Sequence, residues 1–131
     1  MVEQDLHRQE FLIKLVDLIY ANLGDENFGA KELAKAAGMS QRKLSHKLQT
    51  IKKTSVCRFI CETRLQKAME MLQTEDFTAS EVAYKVGFAS ATYFNKCFHE
   101  FFGFPPGKIK KEGLDNPREL NPVKTRSYKL T

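Results

Sequence analysis

The sequence lacks any apolar run close to the ~20 residues that a membrane-spanning helix needs. Its N-terminus, MVEQDLHRQEF, lacks the ordered charged and apolar regions of a signal peptide. It has three cysteines, an odd number that does not make a disulfide framework. These absences predict a chain that is neither membrane-bound nor exported, with the reducing cytoplasm as its compartment.

Patterns typical of catalytic and metal sites are also scarce. Cys57 and Cys61 are four residues apart, but no His or Cys pair at zinc-site spacing accompanies them. Cysteines commonly bury as small apolar side chains, which is the alternative for these two. His7 and His99 are not accompanied by a nucleophilic side chain that either could activate, and the sequence has no phosphate-binding loop. We therefore predict no metal, cofactor, small-molecule ligand or enzymatic activity for this segment.

What the sequence does contain is a local surplus of positive charge. Residues 1–30 carry two basic and six acidic side chains, residues 31–112 carry fifteen and eight, and residues 113–131 carry four and two. The corresponding net charges are −4, +7 and +2. A basic surplus concentrated in the middle of the chain favours a polyanionic partner such as nucleic acid.

Apolar residues recur at helical spacing, whereas no convincing alternating strand pattern occurs. The first apolar stripe extends from about residue 8 to 23, and a long one from about 55 to 73. Serines at positions 40 and 90 are good helix N-caps, and each follows a glycine that would stop the preceding helix. We predict an all-α fold of about seven helices.

One pattern of residues occurs twice, as ELAKAAGMSQRKLSHKL (32–48) and EVAYKVGFASATYFNKCF (81–98). Each copy consists of a helix with a small alanine, a turn at Gly38 or Gly87, and a second helix capped by serine. That order is typical of a helix-turn-helix, whose second helix enters the DNA major groove. Two copies in register within a basic segment favour DNA binding over the alternative class, an all-α protein-interaction adaptor.

These residues also carry a family resemblance. The stretch VAYKVGFASATYFNKCFHEFFGFPP resembles the second helix-turn-helix of AraC/XylS-type bacterial transcription regulators, and LAKAAGMSQRKLSHKL resembles the first. RLQKAMEML resembles the linker helix that joins the two units. The resemblance divides the chain into a lead-in (1–9), a double helix-turn-helix domain (10–112, with a first unit at about 10–53, a linker helix at about 55–73 and a second unit at about 78–112) and a basic flexible tail (113–131).

The resemblance implies sequence-specific binding of double-stranded DNA through two recognition helices in adjacent major grooves. It implies a role in transcription regulation, for which we expect activation, with RNA polymerase as a partner. Dimerisation in this family is expected to use an upstream domain that this chain lacks. The module is similar to those that end receiver-bearing or hybrid two-component regulators.

Helix geometry predicts which recognition-helix residues face DNA. Leu44 and Leu48, and in the second copy Phe94 and Phe98, are expected to face the core. The base-contact candidates point away from the core, at positions where family members touch base edges: Gln41, Arg42, Ser45, His46, Ala91, Thr92, Asn95 and Lys96. The phosphate-contact candidates are Ser40, Lys43, Lys47, Lys52, Lys85 and Ser90.

The chemistry of the side chains suggests which bases they suit. Arg42 can bond guanine O6 and N7 together, Asn95 can bond adenine, and Ala91 and Thr92 can contact a thymine methyl group. His46 can reach a phosphate or a guanine. The alternative for each long polar side chain is a solvated surface position without a partner.

The sequence departs from the family pattern after the first recognition helix. Glycine and proline usually stand there, as Gly103 and Pro106 do after the second, but the first junction has Lys53 and Val56. We therefore expect the first junction to continue more helically than the second. Ile109 stands where the family usually has tyrosine, and it can fill the same apolar position.

Overall fold

Seven α-helices account for most of residues 2–112, the part of the chain that the computed structural model describes. They are α1 (Val2–Ala21), α2 (Ala30–Ala36), α3 (Gln41–Lys52), α4 (Val56–Thr74), α5 (Ala79–Lys85), α6 (Ala91–Phe102) and α7 (Pro106–Glu112). These described residues contain no strand, and the predicted all-α class is confirmed. The predicted basic tail, residues 113–131, lies outside the described residues.

The first helix begins earlier than its apolar pattern predicts. Its buried side chains are Leu12, Leu15 and Ile19, yet α1 already begins at Val2, so residues 2–9 of the assigned lead-in are helical. Residues 4–10 are all exposed. Hydrophobic periodicity detects only turns that bury a face, and it therefore gives no signal for these first turns.

The first unit consists of α1, α2, α3 and the beginning of α4 around one hydrophobic core. Leu33 of α2 and Leu44 and Leu48 of α3 are fully buried in it. Ala34 is also buried, and its small side chain lets α2 pack closely against the neighbouring helices. The first-unit core comprises Leu12, Leu15, Ile19, Phe28, Leu33, Ala34, Leu44, Leu48, Val56, Phe59 and Ile60.

The second unit has its own core, built by the rest of α4 with α5, α6 and α7. Four phenylalanines of α6 are buried there, and Phe94, Phe98 and Phe102 follow one another with ring centroids 5.6 and 4.6 Å apart. Ile109 is fully buried in the same core, as expected for its apolar position. The phenylalanines of α6 therefore form packed core, as their spacing predicts.

Helix α4 belongs to both cores. Val56, Phe59 and Ile60 from its first turns pack in the first-unit core, whereas Leu65 and Leu72 pack in the second. It contacts each of the other six helices. The predicted linker is thus the central element of the fold, and each recognition helix is held against it.

The turns of the two helix-turn-helix units follow the predicted chemistry. Gly38 and Gly87 adopt φ angles of 74° and 96°, in the left-handed region that favours glycine. The Ser40 Oγ accepts a hydrogen bond from the Lys43 amide at 3.1 Å, and the Ser90 Oγ accepts one from the Tyr93 amide at 2.9 Å. Both recognition helices therefore begin at a serine N-cap.

The junction after the first recognition helix does not continue helically, and the prediction made for it was wrong. Helix α3 ends at Lys52, Lys53 takes φ 58° and ψ 40°, and its amide donates to the Gln49 carbonyl. Ser55 then caps α4 by accepting from the Arg58 amide. Tertiary packing and this cap hold the chain in the same left-handed bend that Gly103 makes after α6, although lysine has no preference for it.

We expect Lys53→Gly to stabilise the protein, by about 1 kcal/mol, because it removes the left-handed penalty of an L-residue. The measurement is the free energy of unfolding by urea denaturation. Lys52→Gly is the matched control: it lies one residue earlier within α3, where glycine lowers helix stability by up to about 1 kcal/mol. A loss of stability in Lys53→Gly would contradict the strained junction.

Candidate nucleic-acid interface

The first recognition helix, α3, presents a polar face to solvent. Burial of Leu44 and Leu48 fixes its rotation, and the four predicted base-contact residues of this helix are all exposed. Arg42 and His46 are one turn apart on the side away from the core, and Gln41 and Ser45 flank them. The fold therefore brings these four candidates onto one accessible surface.

The second recognition helix, α6, has the same arrangement with one difference. Thr92, Asn95 and Lys96 are exposed opposite the buried Phe94 and Phe98. Ala91, in contrast, is half-buried and packs against the second core. Less of its methyl group is available to a thymine than its place in the repeat suggests.

The phosphate-contact candidates are in several different environments. The Ser40 and Ser90 hydroxyl oxygens accept from backbone amides, which leaves their hydroxyl hydrogens to donate elsewhere. The Nζ of Lys47 lies 4.2 Å from the centroid of the Phe11 ring, and the Nζ of Lys85 lies 4.7 Å from the Phe77 ring. These two ammonium groups make cation–π contacts within the protein.

The other two phosphate-contact candidates lie on α3. Lys43 is exposed, and Lys52 is half-buried in the last turn. A shallow concavity of about 740 Å³ runs along this side of α3, lined by Gly38, Met39, Ser40, Lys43, His46, Lys47 and Thr50. Its basic lining suits a phosphate backbone.

Positive charge is unequal between the two recognition helices. Helix α3 contains four lysine or arginine residues and no acidic residue, whereas α6 contains Lys96 and Glu100. Between the two recognition helices, the basic surplus is therefore concentrated on α3. Electrostatic attraction to DNA should act mainly there.

Two exposed residues on these faces were missed by the sequence reasoning. Thr50 lies one turn beyond His46. The Thr50 hydroxyl donates a hydrogen bond to the His46 carbonyl oxygen at 3.0 Å. Tyr93 is 57% exposed and packs its ring against Phe88 at a centroid distance of 6.0 Å. The repeat register could have found Tyr93, because it occupies the position that Lys43 has in the first unit.

The thiol neighbour of Cys61 is not Cys57, four residues earlier on the same helix, but Cys97. Cys61 of α4 lies against Cys97 of α6, while Cys57 is exposed. Burial, with the neighbouring Cys97, raises the pKa of Cys61 to about 12, so its thiol is protonated at neutral pH. A hydrogen bond with Cys97 raises the pKa of Tyr93 above its ordinary value.

Among residues 2–112, no three His, Cys, Asp or Glu side chains are placed to hold a metal ion.

Comparisons with known proteins point to one family. Residues 33–112 match the family described as a helix-turn-helix domain. The chain is 35% identical over 108 residues to the transcriptional activator NphR of a Rhodococcus species, covering 82% of this chain and 32% of NphR. It is 30% identical over 102 residues to histidine kinase P4 of Formosa agariphila, covering 78% of this chain and 7% of that protein. The chain thus spans a third or less of these relatives.

Solved structures show the same fold. An AraC-type transcriptional regulator from Chromobacterium violaceum superposes with a TM-score of 0.72 at 24% identity, covering 80% of this chain and 93% of that one. The DNA-binding domain of the global transcriptional factor AdpA, solved in complex with a target DNA, superposes with a TM-score of 0.70 at 23% identity, covering 82% and 96%. Within the described residues, no helix has the length and apolar character to cross a membrane.

Proposed function

Because the chain belongs to the AraC-type family of helix-turn-helix DNA-binding domains, we propose that it binds a promoter through two recognition helices in adjacent major grooves. DNA binding for transcription regulation is the function of this family. The observation that supports a two-headed mode is the sharing of α4: the two units, each with an exposed polar recognition face, are built on one helix. Family membership also decides against the adaptor alternative.

The two reading surfaces have different roles in this proposal. Arg42 bonds a guanine and His46 a guanine or a phosphate in the first half-site, with Gln41 and Ser45 at its edge. Asn95 bonds an adenine in the second half-site, next to Thr92 and Lys96. The phosphate contacts come mainly from α3, which carries four basic residues and no acidic one.

The wider biological role is part of the same proposal. We assign the chain to the cytoplasm, to transcription activation and to contact with RNA polymerase. Support comes from NphR, which is named a transcriptional activator. The relatives are longer than this chain, and we place dimerisation and signal reception, including any receiver or hybrid two-component part, outside the two helix-turn-helix units.

Single substitutions should separate the two half-sites. We expect Arg42→Ala to relax base preference in one half-site and Asn95→Ala in the other, each by about 1–3 kcal/mol, because each removes one base-reading side chain. Selection from a random duplex pool, repeated with each variant, measures the preference. Lys43→Ala is the control: it should weaken all sequences alike, because phosphate contacts carry no sequence information.

Spacing between the half-sites tests the two-headed mode directly. Half-sites read by two rigidly joined helices are centred about 10 bp apart, one helical turn. Inserting 5 bp turns one groove to the opposite face of the duplex, and the affinity should then fall to that of a single half-site. Binding that tolerates the insertion and the Asn95→Ala substitution would mean that only α3 reads bases.

A further inference from the structure

Arg64 is unusual among residues 2–112 because it is a charged side chain that the fold buries. It lies in the middle of α4, between the turns of α4 that serve the first-unit core and those that serve the second, and it is 8% exposed. Burying a charged group is costly unless hydrogen bonds replace its water. The position of its partners therefore shows what the guanidinium holds together.

The partners of Arg64 are backbone carbonyl oxygens from both units. Its Nη1 donates to Gly87 in the helix-turn-helix turn of the second unit at 3.1 Å. Its Nη2 donates to Asp25 at 2.8 Å and to Phe28 at 3.2 Å, in the loop between α1 and α2 of the first unit. Burial lowers the pKa of Arg64, while the nearby Asp25 carboxylate opposes that shift.

The same two segments also approach each other directly. A Cβ atom on Gly87 would collide with the Leu23 carbonyl oxygen, and it would lie 2.9 Å from the Arg64 Cζ. Leu23 itself packs against the second core. We call Leu23, Asp25, Phe28, Arg64 and Gly87 the inter-unit joint, since they connect the first-unit loop to the second-unit turn.

We propose that Arg64 is a positioning residue that sets the relative orientation of the two recognition helices. Gly87 lies in the turn that precedes α6, and Phe28 is part of the first-unit core that holds α3. A planar guanidinium with fixed donor directions constrains these carbonyl groups in angle as well as distance. This inference rests on the proposed two-headed binding: the joint pre-organises the spacing at which both helices enter their grooves.

The test compares Arg64→Met, which keeps the length of the side chain but removes its donors, with Arg64→Lys, which keeps a charge and loses the planar fork. Arg58→Met is the matched control, because Arg58 is an exposed arginine on the same helix whose partner is Glu62. Affinities are measured below each melting transition for a single half-site, and for duplexes carrying both half-sites at the selected spacing and at spacings changed by 1 or 2 bp.

We expect Arg64→Met to bind the single half-site as the wild type does and to bind the correctly spaced duplex about tenfold more weakly. A loosened joint lowers the effective concentration of the second head. The difference in affinity between the selected spacing and the altered spacings should become smaller in Arg64→Met. It should be intermediate in Arg64→Lys and unchanged in Arg58→Met. Unchanged spacing discrimination in Arg64→Met would overturn the proposal.

A measurement without DNA separates this inference from the proposed function. Spin labels on Gln49→Cys in α3 and His99→Cys in α6, in a background without the native cysteines, report the distance between the two recognition helices. The distance distribution should broaden in Arg64→Met and not in Arg58→Met. If the wild type shows no preference for half-site spacing, the proposed two-headed binding is wrong. If the distance distribution of Arg64→Met is the same as that of the wild type, the role of Arg64 is overturned independently of DNA binding.

Discussion

Gly87→Val should lower the free energy of unfolding by about 4 kcal/mol. Left-handed backbone strain contributes about 1–3 kcal/mol of this loss, and the lost hydrogen bond from Arg64 contributes about 1.5–3 kcal/mol. The φ angle of Gly87 is 96°, and its missing side chain leaves room for the Leu23 carbonyl oxygen and the Arg64 guanidinium. A valine would therefore strain the turn and also push the inter-unit joint apart. Urea denaturation measures the loss.

Gly38→Val is the matched control, because Gly38 occupies the equivalent turn of the first unit with φ 74° but has no atom within 4 Å of its Cβ position. It should carry only the backbone strain of about 1–3 kcal/mol. Arg42→Ala, at an exposed position, should change stability little. Equal losses for the two glycine variants would show that the crowding around Gly87 has no energetic weight.

Affinity for DNA should fall by about 500-fold to 20,000-fold when the salt concentration rises from 50 to 200 mM. Residues 31–112 carry a net charge of +7, and α3 alone contributes four basic residues without an acidic one. With roughly 5–8 phosphates neutralised, the log–log slope against salt is about −0.9 per contact. Fluorescence anisotropy titrations at several salt concentrations give the slope.

Lys43→Ala should make that slope shallower by about 0.9, because Lys43 is an exposed lysine beside the α3 concavity. Lys67→Ala should leave the slope unchanged, since Lys67 lies on α4, ion-paired with Glu70 and placed over the Tyr20 ring. An affinity that barely responds to salt in the wild type would contradict the electrostatic account of binding.

The parts of the fold that sequence could predict are those encoded locally. Ser40 and Ser90 are N-caps, Gly38 and Gly87 are left-handed turn residues, and Leu44 faces the core, all as expected. Each of these features depends on the preference of one residue or on helical periodicity. The exposed positions of seven of the eight base-contact candidates follow from the same periodicity, with Ala91 half-buried. Their contacts with DNA stay a prediction.

The features that sequence could not predict depend on distant partners. Lys53 has no left-handed preference, and the packing of α3 against α4 together with the Ser55 cap holds it there. Arg64 would ordinarily be assigned to the surface because its side chain is charged. The carbonyl partners that allow its burial are 23 to 39 residues away in the sequence, so no local pattern indicates them. Lys47 was expected at a phosphate, and its contact with Phe11 joins residues on different helices.

The sharing of α4 by two cores means that the repeat is not a tandem of autonomous folding units. A fragment that ends before Val56 would leave the first-unit core without Phe59 and Ile60, and one that begins after α4 would leave Phe94 and its neighbours uncovered. Unfolding should consequently be one cooperative transition rather than two. Anyone who transplants a single reading head into another protein must carry α4 with it.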